Sequence, residues 1–217
     1  MGAEDFKRLS SPTKVNMAAI VDRTDWVHTG ITDYHITDRD DLCLVEFQST
    51  KGREDWKSNF KFLPNKERWF ADRDLYLHRG FLGEYKAVRS AILDHLYRRK
   101  PQFMVINGYS LGAALTQICA QDAAYHFPDA VIGGTGYAPP RPFYGNRSNL
   151  KTSTLTLVCA HCDPVCLVPP FGKHYGSVMK VGNWNSFETC KDPDTGKVWH
   201  ITHYWGFYYR YLDAVGA

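Results

Sequence analysis

The five residues Gly108-Tyr109-Ser110-Leu111-Gly112 constrain this chain more than any other stretch. Before them Phe103 to Ile106 is a short apolar run, and after them Leu111 to Ala120 is rich in strong helix formers. A strand that becomes a helix within so few residues forces its central side chain into a strained backbone conformation, clear of the sheet edge. Only glycines two positions before and two after leave room for the chain to pass so closely. Ser110 then opens a helix, where unpaired N–H groups meet any negative charge that develops nearby. Ser110 is therefore the candidate nucleophile.

The surrounding pattern alternates strand and helix. Residues 3–25 read as a helical region interrupted at Ser11-Pro12. Ile31 to Thr37 alternates weakly, as an edge strand would, and Leu42 to Gln48 is a clear strand. Trp56, Phe60 and Leu63 recur at helical spacing up to Pro64, whereas Asn65 to Leu77 is charged and irregular. A helix is expected from Gly83 to Arg99, with Tyr85, Val88, Ile92, Leu93 and Leu96 on one face. Val131 to Tyr137 and Leu155 to Ala160 read as strands, Val178 to Asn183 and Lys197 to His200 as late strands, and Tyr204 to Leu212 as a terminal helix. Gly133-Gly134-Thr135-Gly136 lies within a strand rather than between strand and helix, so it is not read as a nucleotide loop. This order describes an α/β protein of three layers with the elbow on a central strand. No repeat or linker divides the 217 residues, so a single domain is expected over 1–217.

Composition excludes several functions. A net charge of +3, from 26 basic and 23 acidic side chains, with no cationic block beyond Arg98-Arg99-Lys100, argues against a nucleic-acid partner. No apolar run is long enough to span a membrane. Met1 to Asn16 is charged and lacks the apolar core of a secretory leader, which favours reduced thiols and weighs toward the cytoplasm. Cys159-Ala160-His161-Cys162 with Cys166 has spacing that suits zinc. No second Cys or His pair completes a tetrahedral set, so a cysteine-rich core strand is the preferred reading and no metal is expected.

A serine hydroxyl at neutral pH needs an imidazole to take its proton and a carboxylate to orient that imidazole. In enzymes with this type of elbow the order is serine, acid, histidine. Asp163 directly follows an apolar strand, which puts it at the same sheet edge as Ser110; the competing reading is a turn residue before Pro164. Behind it come His174, His200 and His203. His174 sits in a Pro/Gly-rich loop, while His200 ends a short apolar stretch before the aromatic helix, so His200 is preferred over His203 as the base. Acyl transfer also needs two donors aimed at the tetrahedral oxyanion. The N–H of Leu111 is one. Thr50, just beyond the Leu42–Gln48 strand, offers an N–H and a hydroxyl, although an ordinary turn threonine would look the same.

These pieces together resemble the class 3 lipase family, the fungal triacylglycerol lipase type. The resemblance is carried by Phe47-Gln48-Ser49-Thr50, Asp55-Trp56, His78-x-Gly80-Phe81, Gly108-x-Ser110-Leu111-Gly112-x-Ala114-Leu115, Tyr137-Ala138-Pro139-Pro140-Arg141 and Asp163-Pro164-Val165. It runs in the family's order over residues 40–206. It implies an α/β-hydrolase fold with a mostly parallel central sheet, and a Ser110, Asp163, His200 triad cleaving carboxylic esters of lipids. It further implies Thr50 and Leu111 as the oxyanion hole and no metal or organic cofactor. The expected partners are a lipid or small-ester substrate and, transiently, a lipid interface. Residues 51–62 would correspond to the movable lid, with Trp56 and Phe60 lining an acyl groove. The chain departs from the family pattern in three places. Gln48-Ser49 replaces the usual Arg-Gly, Tyr109 replaces the elbow histidine, and Ile201 stands three residues before Tyr204-Trp205-Gly206, where the family has its base. Lys51, Arg53, Glu54, Asp55 and Lys57 make the lid segment polar, which suits a soluble ester or a phospholipid head group.

Overall fold

The computed structural model describes residues 2–29, 32–48, 66–68, 75–145, 153–161, 163–182, 190–191, 198–199 and 205–214. Two short helices, α1 (Gly2–Leu9) and α2 (Lys14–Val21), precede β1 (Val27–His28), β2 (Asp33–Arg39) and β3 (Leu42–Phe47). Then come β4 (Lys66–Arg68), β5 (Tyr76–His78), α3 (Arg79–Arg99), β6 (Phe103–Tyr109) and α4 (Leu111–His126). The chain continues through β7 (Val131–Tyr137), β8 (Phe143–Tyr144), β9 (Thr154–Ala160) and a 3-10 turn (Pro164–Leu167). It ends with β10 (Ser177–Val181), β11 (Cys190–Lys191), β12 (Val198–Trp199) and α5 (Trp205–Ala214). The main sheet has seven strands in the order β1-β2-β3-β6-β7-β9-β10. From β3 to β10 every pairing is parallel, while β1 and β2 join antiparallel at one edge.

Three layers follow from which side chains each face buries. Along a strand, alternate residues face opposite sides. Cys43, Val45 and Phe47 of β3, with Met104 and Ile106 of β6, share one core with α3 and α4. Leu42 and Leu44, with Val105, pack instead with Leu9 of α1. All six residues of β3 are buried, as a strand covered on both faces must be. Helix α4 is buried from Leu111 to Ala124, and its small residues let it lie close to the sheet: a Cβ on Gly136 of β7 would meet the Ala113 Cβ at 3.2 Å.

The N-terminal helical region divides at Ser11-Pro12, as its sequence predicts. Thr13 caps α2 by accepting from the Asn16 N–H at 3.1 Å. The Asn16 side-chain amide donates back to the carbonyls of Arg8 and Ser11, both at 2.8 Å, closing the corner between the helices. Two expectations need correction. Helix α3 starts at Arg79 rather than Gly83: Gly80 and Gly83 are poor helix formers, but burial of Phe81 and Leu82 recruits the first turn. The charged stretch up to Leu77 is not wholly irregular, because β4, β5 and β8 form a small antiparallel sheet of their own. That sheet joins residues far apart in the chain, a pairing no local pattern announces. The strand expected at an edge over 31–37 falls at 33–39 and lies one place in, with the two-residue β1 outside it. The helical spacing of Trp56 to Leu63 lies outside the described residues.

The contact between α3 and α4 is polar at its centre. Asp122 is fully buried and accepts from Arg89 Nε at 2.7 Å, Arg89 Nη2 at 3.1 Å and Tyr85 Oη at 3.0 Å. A buried carboxylate that loses its guanidinium is left uncompensated, which costs about 3 kcal/mol or more. Arg89→Met is expected to lower unfolding free energy by about that amount in urea titration, without altering far-UV circular dichroism at zero denaturant.

Candidate active site

Strand β6 ends at Tyr109 and helix α4 begins at Leu111, so Ser110 alone makes the turn. Its backbone lies at φ 55° and ψ −117°, a region that side-chain-bearing residues rarely occupy. The strain is held from several sides. The Ser110 N–H donates to the Tyr137 carbonyl of β7 at 2.8 Å, and the Ser110 carbonyl accepts from Ala113 at 2.9 Å. A Cβ on Gly108 would collide with the Gly112 carbonyl and come within 2.7 Å of Thr116 Oγ1. A Cβ on Gly112 would collide with the Phe47 carbonyl and reach 3.0 Å from that of Gln48. The end of β3 thus passes directly against the elbow, and both glycines are required for the approach. Ser110 itself is buried, at 2% exposure.

Asp163 lies three residues beyond the end of β9 and caps the 3-10 turn. Strands β6 and β9 flank β7 and run parallel to it, so Ser110 and Asp163 both belong to the carboxyl edge of the sheet. Two strand spacings separate their strands, about 10 Å. The Asp163 carboxylate is buried; Oδ1 accepts from the Val165 N–H at 2.9 Å, and Oδ2 accepts from the Tyr208 hydroxyl of α5. Burial, reinforced by the Asp163 charge, holds the Tyr208 phenol well above its ordinary pKa, so it remains a donor. Tyr208 Oη also accepts from the Ala160 N–H at 3.1 Å. Its ring meets that of Tyr109 edge-on, with centroids 6.1 Å apart and planes at 89°. Tyr109, beside the serine, therefore touches the side chain that holds the acid.

Tyr208 is the residue that sequence reasoning missed. The aromatic run from Tyr204 to Tyr211 marks a packed helix, but nothing in its spacing singles out position 208. Leu111 sits at the first position of α4, where helix N–H groups have no partner within the helix. His174 is buried, and its Nε2 meets the Cys166 carbonyl at 3.1 Å. Thr50, Trp56, Phe60, His200, His203 and Cys162 lie outside the described residues. Among the described residues, Asp38, Cys43 and His95 come close enough together to share a metal ion. Asp38, however, is already paired with His95 at 3.0 Å and with Arg99 at 3.1 Å. The glycines at 133, 134 and 136 lie within β7, in keeping with the strand reading.

A parallel sheet covered on both faces, with a strained serine between a central strand and the helix that follows, defines an α/β-hydrolase fold. A search among solved structures agrees. A triacylglyceride lipase of Rhizomucor miehei aligns at 18% identity and a TM-score of 0.61, over 75% of this chain and 66% of that one. A triacylglycerol lipase whose catalytic centre is described as a serine protease triad gives the same identity and score over 83% and 80%. A triacylglycerol lipase of Penicillium expansum also matches at 18% and 0.61, over 82% and 80%. The chain thus spans slightly less than two thirds of the Rhizomucor enzyme. A search of curated proteins finds no match. The family model for lipase (class 3) matches residues 44–173. The chain belongs to the class 3 lipase family.

Two substitutions test the geometry. Gly112→Ala is expected to give insoluble or unfolded protein, because its Cβ meets backbone carbonyls of β3 that have nowhere to go. Tyr208→Phe leaves a buried carboxylate oxygen without its donor and should cost about 2 kcal/mol in chemical denaturation.

Proposed function

We propose that this chain is a serine carboxylester hydrolase acting on lipid esters, with residues 1–217 as one catalytic domain. Ser110 attacks the ester carbonyl while His200 takes its proton, and Asp163 orients the imidazole. The oxyanion that forms is held by the N–H of Leu111 and by Thr50, two residues beyond the Gln48 carbonyl that lies against Gly112. Collapse expels the alcohol, protonated by His200, and leaves an acyl group on Ser110. Water then repeats the cycle in reverse. The observation that carries this reading is the Ser110 backbone at φ 55°, inside a family of lipases, with Asp163 delivered to the same sheet edge.

Residues 51–62 act as the lid, with Trp56 and Phe60 toward the acyl chain, and contact with a lipid interface is transient. The charges at Lys51, Arg53, Glu54, Asp55 and Lys57 favour an ester with a polar head, such as a phospholipid or a short-chain ester, over bulk triglyceride. Among the described residues no helix is long and apolar enough to cross a membrane.

Ser110→Ala should cut hydrolysis of p-nitrophenyl butyrate roughly ten-thousandfold and abolish labelling by a fluorophosphonate, with the circular dichroism spectrum unchanged. Turnover equal to the parent would overturn the assignment. Parallel His200→Ala and His203→Ala variants identify the base: loss is expected at His200 and near-parent activity at His203.

A further inference from the structure

A cluster of donor side chains lies at the other end of the sheet from the elbow. Strands β2 and β3 pair antiparallel with Asp38 directly opposite Cys43, so the two side chains share a face. That face is the one under α3, since Cys43 belongs to the core that β3 and β6 share with α3 and α4. From α3, His95 reaches the same point: its Nε2 lies 3.1 Å from Asp38 Oδ1 and 3.0 Å from Oδ2. One turn further along the helix, Arg99 Nε lies 3.1 Å from Asp38 Oδ2, and Arg99 Nη2 donates to the Asp40 carbonyl at 2.8 Å. An imidazole nitrogen, a carboxylate oxygen and a thiol sulfur thus converge, all within 4.8 Å of one another. Cys43 is wholly buried, whereas His95 and Asp38 keep 28% and 29% of their side chains exposed, which gives an ion a way in from solvent.

We propose that Asp38, Cys43 and His95 bind a borderline divalent cation, zinc above all, which ties the β2–β3 hairpin to the last turns of α3. The mix of donors selects the ion: imidazole, thiolate and one carboxylate suit zinc, whereas calcium and magnesium take oxygen alone. The spacing agrees. Around a tetrahedral zinc, nitrogen and oxygen ligands stand about 3.3 Å apart, and sulfur stands about 3.5 Å from either. His95 Nε2 and Asp38 Oδ1 are already at 3.1 Å, so the thiol needs no more than about 1 Å of closure. Water completes the fourth position. On binding, the Cys43 thiol gives up its proton to solvent, and the His95 ring carries its own proton on Nδ1, which frees Nε2 for the ion. Arg99 holds Oδ2 and leaves Oδ1 to the metal, the kind of outer hydrogen bond that orients a ligating carboxylate. An ion pair of Asp38 with His95 and Arg99 needs no thiol; the sulfur directly opposite is what turns the pair into a ligand set. The position favours a cation too, because α3 ends at Arg99 and the carboxyl end of a helix carries partial negative charge. The ion's role is structural. Cys43 lies four residues before Phe47, whose carbonyl meets the elbow, about 13 Å along β3.

The test uses the full 217-residue chain without a purification tag, stripped by a chelator and dialysed against zinc. Elemental analysis should find one zinc per chain, and cobalt in its place should give the near-ultraviolet charge-transfer band of a thiolate ligand. Zinc at about a hundred times its Kd should raise the Tm by about 5–10 °C. Cys43→Ser should abolish the cobalt band. Asp38→Asn and His95→Ala change side chains that are partly exposed, and each should weaken zinc binding roughly tenfold or more. These two variants decide the matter if Cys43→Ser does not fold. Failure of the parent chain to take up zinc overturns the proposal and leaves an ion-pair clamp only. Parent affinity in Asp38→Asn and His95→Ala, or a cobalt band that survives Cys43→Ser, also overturns it and places the ion elsewhere, as on the 159–166 segment. None of these readouts depends on ester hydrolysis, so the result stands whatever Ser110→Ala shows.

Discussion

The site depends on one close approach: the carbonyls at the end of β3 pressing on Gly112 of the elbow. A left-handed serine costs on the order of 1–3 kcal/mol and persists only where its surroundings leave no alternative. Here β7 holds the Ser110 amide and α4 holds its carbonyl, while β3 fixes the second glycine from the opposite side. Two neighbouring strands and a helix thus share the work of holding one torsion angle. The same closeness suits the small residues where α4 meets the sheet, Gly112 against β3 and Ala113 against Gly136 of β7.

A second dependence runs through Tyr208. One phenol accepts from the Ala160 amide, donates to Asp163, touches Cys166 and stacks edge-on against Tyr109. The terminal helix is therefore part of the site's geometry. Docking of α5 sets the acid's orientation, and Tyr109 carries that packing back to the elbow. The family's usual elbow residue is histidine. The tyrosine found here is buried against Tyr208, so the departure has a packing reason.

Much of this was legible in the sequence because it is local. The elbow requires a strand, five residues and a helix, all contiguous, and the two glycines are demanded by sterics that any chain obeys. Asp163 was legible for a similar reason, since the end of an apolar strand in a parallel sheet points to the carboxyl edge. What escaped is non-local. Strands β4, β5 and β8 are two or three residues long and gain their hydrogen bonds from partners far away in the chain. The start of α3 was missed because burial of Phe81 and Leu82 outweighs two glycines. Tyr208 was invisible because its role comes from where α5 docks, and every tyrosine in an aromatic helix looks alike before docking is known.

Among the described residues, the three buried carboxylates Asp122, Glu46 and Asp163 are held in different ways. Asp122 is met by a guanidinium through two nitrogens, an arrangement that neutralises its charge and ties α3 to α4. Glu46 of β3 is pushed up by burial, an effect that Arg23 at 2.6 Å opposes. Asp163 is treated differently. The donors described for it, an amide and a phenol, are neutral, and they fix the orientation of the carboxylate. In the proposed mechanism, neutral donors suit a carboxylate that stabilises an imidazolium formed only during reaction. A permanent cation at the same place would already have answered the charge and left little for the transition state.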